Sequence, residues 1–139
     1  MGKGRDNLDT APAFAGTRAA HRAERAEDYV EAIALLSVKR GAARVTDLAR
    51  HMGVSHVTVS RTLRRIAGEG LVMFTPRSPI ELTAAGVRLA RRSAARHEVV
   101  VAFLLHLGVP LRVALVDSEG LEHHVSEATI RAMRRAIKR

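Results

Sequence analysis

Between Val45 and Arg64 the chain sets a small residue (Ala49), a glycine (Gly53) and a β-branched residue (Val59) at intervals that leave few structures open. Ala49 falls where two short helices would cross, and a larger side chain there would push them apart. Gly53 falls in the connection, where a turn asks for positive φ, and Val59 packs the second helix back onto the first. Val59, Leu63 and Ile66 then recur at i, i+4 and i+7, which makes one apolar stripe. The opposite face and the N-terminal end of that helix carry Ser55, His56, Val57, Thr58, Ser60, Arg61 and Arg64. A polar, donor-rich surface of this kind enters the major groove of DNA; alone, it could equally be a solvated basic face.

The flanking segments read as further helices and one small hairpin. Residues 1–20 contain Gly2, Gly4, Pro12 and Gly16 with scattered charges, the composition of a disordered tail with no signal-peptide core. Order is expected from about His21, where Tyr29, Val30, Ile33 and Leu36 recur at helical spacing up to Gly41. A short helix from about Val45 to His51, with Thr46 as its N-cap, precedes the recognition helix, which Ser55 caps. Leu71 to Phe74 and Ile80 to Leu82 read as strands around the turn-rich tip Thr75-Pro76-Arg77-Ser78-Pro79. Arg77 at that tip is placed to meet a phosphate or the minor groove. Thr83 caps a long helix from about Ala84 to Leu107; a helix from Leu111 to His123 and a last one starting at Ser126 follow. The expected class is mainly α, as an α+β winged helix-turn-helix over 21–83 followed by a helical region over 84–139.

Composition sharpens both the fold and the partner. Hydrophobic residues make up 47% of the chain but aromatics only 3%, so the core must be Leu, Val, Ile and Ala, which favours packed helices over a β-sandwich. A net charge of +9 points to a polyanion as partner, since lysine and arginine release counterions from phosphates. The longest apolar run, Val99 to Leu105, is too short to cross a bilayer, so no membrane partner and a cytoplasmic location are expected. With no cysteine, disulfides and thiolate metal sites are excluded, which leaves oxygen and imidazole as the good metal ligands.

Such ligands recur in three places. On a helix, Glu119, Glu122 and His123 stand at i, i+3 and i+4 on one face, while His124 lies ~100° further round. Asp28 and Glu31 repeat the i, i+3 spacing on the first long helix, and His97 sits inside the linker helix. Together they make four carboxylates and two imidazoles, a set that suits octahedral Mn²⁺ or Fe²⁺ better than structural zinc.

With Asp28-Tyr29-Val30-Glu31, Arg96-His97-Glu98 and Glu119-Gly120-Leu121-Glu122-His123-His124-Val125-Ser126 in view, the chain resembles the diphtheria toxin repressor-type metalloregulators, in particular their manganese transport regulator branch. The resemblance runs from about Glu24 to the end. It implies that Asp28, Glu31, His97, Glu119, Glu122 and His123 hold a pair of metal ions. In the iron-sensing branch the position of Glu119 carries Cys and that of Asp28 carries Met, so the oxygen ligands here favour Mn²⁺. The tip Arg77-Ser78-Pro79 departs from the Arg-Gly often found in relatives. The chain as given ends after the dimerisation helices, without the third domain of many iron-sensing members.

The function these readings predict is a manganese-responsive repressor that binds double-stranded operator DNA as a homodimer and needs no small organic ligand; the resemblance alone implies that it controls metal uptake genes. The dimer face is expected from Val100, Phe103, Leu104 and Leu107 with Ile130, Met133 and Ile137. Three other readings compete: a metal-dependent hydrolase built on the carboxylate and histidine cluster, an iron-responsive regulator of the same family, and a winged-helix regulator that responds to a small organic ligand or to no ligand and binds DNA regardless of chelator.

Overall fold

The computed structural model describes residues 10–139, with side chains from residue 18 onward. The elements run α1 (Thr10–Arg40), α2 (Val45–Met52), α3 (His56–Gly68), β1 (Val72–Met73), β2 (Glu81–Leu82), α4 (Ala84–His106), α5 (Leu111–Leu121) and α6 (Glu127–Ile137). The fold is thus mainly helical with one small antiparallel hairpin, as the sequence implies.

One apolar core organises the N-terminal half. Ala26, Tyr29, Ile33 and Leu36 of α1 form its floor, and Leu48 and Ala49 of α2 and Val59, Leu63 and Ile66 of α3 close over them. Val72 and Ile80 seal the side next to the hairpin. Gly53 adopts φ +68°, and its N–H bonds to the Ala49 carbonyl, so the turn between α2 and α3 uses the left-handed conformation that glycine allows. Ser55 caps α3, its side chain accepting from the Thr58 N–H at 3.1 Å. In the hairpin Val72 pairs with Leu82 and Met73 with Glu81, and an added bridge ties Ile80 to Ala43 just before α2.

The junction between the halves depends on two residues. Thr83 accepts from the Gly86 N–H at 3.1 Å and donates to the Gly70 carbonyl at 2.6 Å, joining the start of α4 to the end of α3. Gly86 itself lies against the backbone: a Cβ there would stand 2.0 Å from the Leu71 carbonyl oxygen. From this anchor α4 runs along α1 and then receives α5 and α6.

Four expectations need correction. The tail is not irregular throughout, since α1 begins at Thr10 and residues 10–20 continue it; residues 1–9 lie outside the described residues. Ala11, Ala13, Ala15, Ala19 and Ala20 supply strong helix propensity, and Pro12 falls in the first turn, where its missing N–H costs nothing. Thr46 is not the cap of α2, because the helix already starts at Val45 and Arg44 holds the cap position without a side-chain hydrogen bond. Helix α5 ends at Leu121, so Glu122 and His123 lie in the turn that follows, although Glu122 keeps helical backbone angles. Finally, Val100 and Ile130 are buried inside the chain, and the exposed apolar face is formed by Leu105, Leu107, Leu111, Val113, Leu115 and Val116.

Candidate metal centre and nucleic-acid interface

Three segments converge on one cavity of about 610 Å³. Helix α1 contributes Asp28 and Glu31, α4 contributes His97, and α5 with its following turn contributes Glu119, Glu122 and His123, so all six residues singled out in the sequence line it. Their polar atoms meet in a chain. His97 Nδ1 lies 2.5 Å from Glu122 Oε2, while the other Glu122 oxygen, Oε1, is 3.4 Å from His123 Nε2. His123 Nε2 is also 3.2 Å from Asp28 Oδ1. Glu31 accepts a hydrogen bond from Ser93 on α4, and Glu119 borders the cavity from its exposed side.

The turn that carries Glu122 and His123 is held from behind. Arg96, one residue before His97, donates through Nε and Nη2 to the Glu122 carbonyl at 3.1 and 2.8 Å. It also donates to the Val125 carbonyl and pairs with Glu127 at 2.6 Å. One guanidinium therefore ties the linker helix to both ends of the α5–α6 connection, which compensates for the early end of α5.

Burial and charge give the cluster its chemistry. Burial pushes the Glu122 carboxyl above the usual carboxylate range, against the lowering pull of His97. Hydrogen bonds to Asp28 and Glu27 push the His123 imidazole up to about 10. The carboxylates are thus not left to repel one another: His123 as an imidazolium and the His97 ring lie between them. A hard divalent cation fits such a set, being able to take the place of those protons on carboxylate and imidazole donors.

Three residues that the sequence reading passed over also border this region. Glu27 Oε2 lies 2.5 Å from His123 Nδ1. Glu24 lines the cavity, and its Oε2 is 3.4 Å from Nε2 of His124, which therefore does not simply face away. His51 reaches the wall from α2. Stepping back by four from Asp28 would have found Glu24; nothing in the local spacing flags His51.

Helix α3 presents the expected face. Ser55, His56, Val57, Thr58, Arg61 and Arg64 are exposed and Ser60 is half-buried, while Val59, Leu63 and Ile66 are fully buried. The Ser55 hydroxyl is engaged by Thr58 as the helix cap. Val57 is 67% exposed, an apolar group on a polar face, suited to a thymine methyl. Arg77 is exposed at the hairpin tip with φ +69°, and the Ser78 N–H bonds back to the Thr75 carbonyl at 3.1 Å. Pro76 followed by a left-handed residue is the pattern of a type II turn, in which glycine would be less strained than arginine.

Comparison with known proteins identifies the family. Residues 21–79 match the iron dependent repressor N-terminal DNA binding domain, and residues 83–139 match the iron dependent repressor metal binding and dimerisation domain. The chain belongs to the iron-dependent repressor family. It is a DNA-binding transcriptional regulator and not an enzyme, which sets the hydrolase reading aside. The transcriptional regulator MntR of Escherichia coli O157:H7 is 47% identical over 121 residues, 87% of this chain and 78% of that protein. The HTH-type transcriptional regulator MntR of Bacillus subtilis is 32% identical over 100 residues, 72% of this chain and 70% of that protein. Among solved structures, a manganese-dependent transcriptional repressor in complex with manganese superposes with a TM-score of 0.70 at 28% identity, over 81% of this chain and 52% of that one. The chain thus spans about half the length of that solved repressor. No helix among the described residues is long and apolar enough to cross a membrane.

Proposed function

We propose that this protein is a manganese-responsive repressor that binds operator DNA as a metal-loaded homodimer and controls metal uptake genes. In this reading residues 21–83 read DNA, and residues 84–139 bind metal and dimerise. Asp28, Glu31, His97, Glu119, Glu122 and His123 hold two ions per subunit. The observation that carries it is Glu122, which is 5% exposed and turns one oxygen toward His97 and the other toward His123. A buried carboxylate placed between two imidazoles in this way is suited to bridging two cations.

When bound, the cations supply positive charge that offsets the four carboxylates. The residues do the rest. Asp28 and Glu31 commit α1, which floors the DNA-reading core, while His97, Glu119, Glu122 and His123 commit the α4–α5 region, whose exposed apolar face joins the second protomer. Holding the two together fixes the separation of the two α3 helices across the dimer. Ser55, His56, Val57, Thr58, Ser60, Arg61 and Arg64 of each protomer then meet successive major grooves, with Arg77 against the backbone.

The test is fluorescence anisotropy on a palindromic operator fragment, first with EDTA and then with a series of divalent metals. Binding should need metal and respond best to Mn²⁺. Zn²⁺ should bind the protein at least as tightly but activate it only in part, since it favours four ligands and can leave one segment unclamped. DNA affinity indifferent to EDTA would overturn the reading.

A further inference from the structure

One turn before Asp28 on α1, Glu24 lines the same cavity as the six proposed ligands, and ligand atoms of Glu24, Asp28 and His123 all lie within 4.8 Å of one another. Metal–oxygen bonds of roughly 2.0–2.6 Å place two donors on one ion up to about 5 Å apart, so a single cation can reach all three. The cluster differs from an ordinary patch of surface acids in its imidazole. The His123 side chain is only 3% exposed. Its Nδ1 is engaged by Glu27 at 2.5 Å, which leaves Nε2 facing Asp28 at 3.2 Å. Metal-binding histidines are held in this manner, with one ring nitrogen fixed by a carboxylate and the other presented to the ion. Glu24, its side chain 28% exposed, completes the group beside the more exposed Asp28 at 45%.

We propose that Glu24 is a metal ligand, forming with Asp28 and His123 an outer cation position in which Glu27 orients the imidazole. This rests on the manganese reading above and extends it. Helix α1 then supplies carboxylates at i, i+4 and i+7 (Glu24, Asp28 and Glu31), so the clamp grips it one turn further toward its N-terminus. Glu24 and Asp28 also line the neighbouring cavity, together with Met52, Val54 and Thr58. The outer position therefore sits beside the turn and first residues of the recognition helix. An added oxygen donor makes this position harder, and it favours Mn²⁺ over ions content with four ligands.

Calorimetric titration of the 139-residue chain with Mn²⁺, with free ion counted by electron paramagnetic resonance, tests the assignment. The proteins to compare are wild type, Glu24→Gln, His124→Gln and Glu122→Ala. Glu24→Gln keeps the shape of the side chain and should weaken one class of Mn²⁺ site ~10- to 100-fold, the usual effect on affinity of losing a group that supports a metal. His124→Gln removes the ion pair at 3.4 Å without touching a ligand and should bind as wild type does. The proposal fails if Glu24→Gln binds Mn²⁺ with wild-type affinity and stoichiometry. It also fails if His124→Gln reproduces the loss, since Glu24 would then act only through that ion pair. A Glu122→Ala protein that binds Mn²⁺ like wild type would instead sink the underlying site, and the outer position with it.

Discussion

The two halves of this chain satisfy themselves differently. Around α1, α2, α3 and the hairpin, a contiguous set of Tyr, Ile, Leu, Val and Ala side chains is buried, and the polar face of α3 is free for a partner. Beyond the middle of α4, Val100, Ala114 and Ile130 are the buried hydrophobic residues, while Leu105, Leu107, Leu111, Val113, Leu115, Val116 and Leu121 stand exposed. The first half is a finished domain held by its own core. The second leaves an apolar face exposed, which under the proposed reading meets a second copy, and gathers the proposed cation ligands around one cavity. The proposed regulation would use that difference, with a reader held by its own core repositioned through a half that offers an exposed face and a ligand-lined cavity.

If the contrast is right, the two halves should respond to different insults. The largest effect is expected from Leu63→Ala, which opens a cavity in the finished core at a side chain with no exposure. It should cost about 2–5 kcal/mol in denaturant unfolding, with the loss present with or without metal. Val116→Asp should do the opposite. Val116 is 73% exposed in the protomer, so the fold should survive while the dimer dissociates, weakened by about 2 kcal/mol or more in sedimentation. A Val116→Asp protein that stays dimeric at micromolar concentration would break the comparison. Arg61→Ala should leave both stability and assembly alone and weaken operator binding by about 1–3 kcal/mol if the guanidinium meets a base edge. Were Arg61 on a phosphate instead, the loss would extend to all sequences and flatten the salt dependence.

A smaller effect concerns protons. Without metal, His123 faces Glu27 and Asp28 from α1 and Glu122 beside it, and its raised value of about 10 keeps the ring protonated at neutral pH. An imidazolium cannot ligate, so binding a cation must release that proton. Affinity for Mn²⁺ should rise with pH by up to about tenfold per unit through the neutral range, levelling off near the folded value. The same sign governs the metal-free protein. The His123 interactions stabilise it fully below the ordinary histidine value, and that contribution is lost as pH rises toward about 10. Calorimetry in buffers of different ionisation enthalpy reads the proton count directly.

Much of the first half was legible in the sequence because local rules decide it. Ala49, Gly53, the Ser55 cap and the Val59, Leu63, Ile66 stripe are each set locally, by packing, by φ or by a capping hydrogen bond, and each fills that structural role. Thr83 is likewise visible as a cap, but the backbone contact that reserves Gly86 for glycine is not, because Leu71 approaches it only in three dimensions. The second half was harder to read. Spacing groups Glu119, Glu122 and His123, yet it places them on a continuous helix, whereas α5 stops at Leu121 and Arg96 holds the turn from a distant element. The apolar face was expected partly on α6, and it lies instead on α5 and the end of α4, because Ile130 is consumed by packing within the chain. Glu24 lies at helical spacing from Asp28 and was open to a reading by spacing, whereas Glu27 and His51 enter the site only through the way α1, α2 and the α5–α6 turn come together.

The central claim is that binding of a cation at Glu122 is what couples the unfinished half to the reader. Glu122→Ala tests it most directly, measured as operator affinity with EDTA and with saturating Mn²⁺, alongside dimerisation by sedimentation. The account predicts that the variant remains a folded dimer and that Mn²⁺ no longer raises its affinity for operator. A Glu122→Ala dimer that still tightens on operator when Mn²⁺ is added would contradict it.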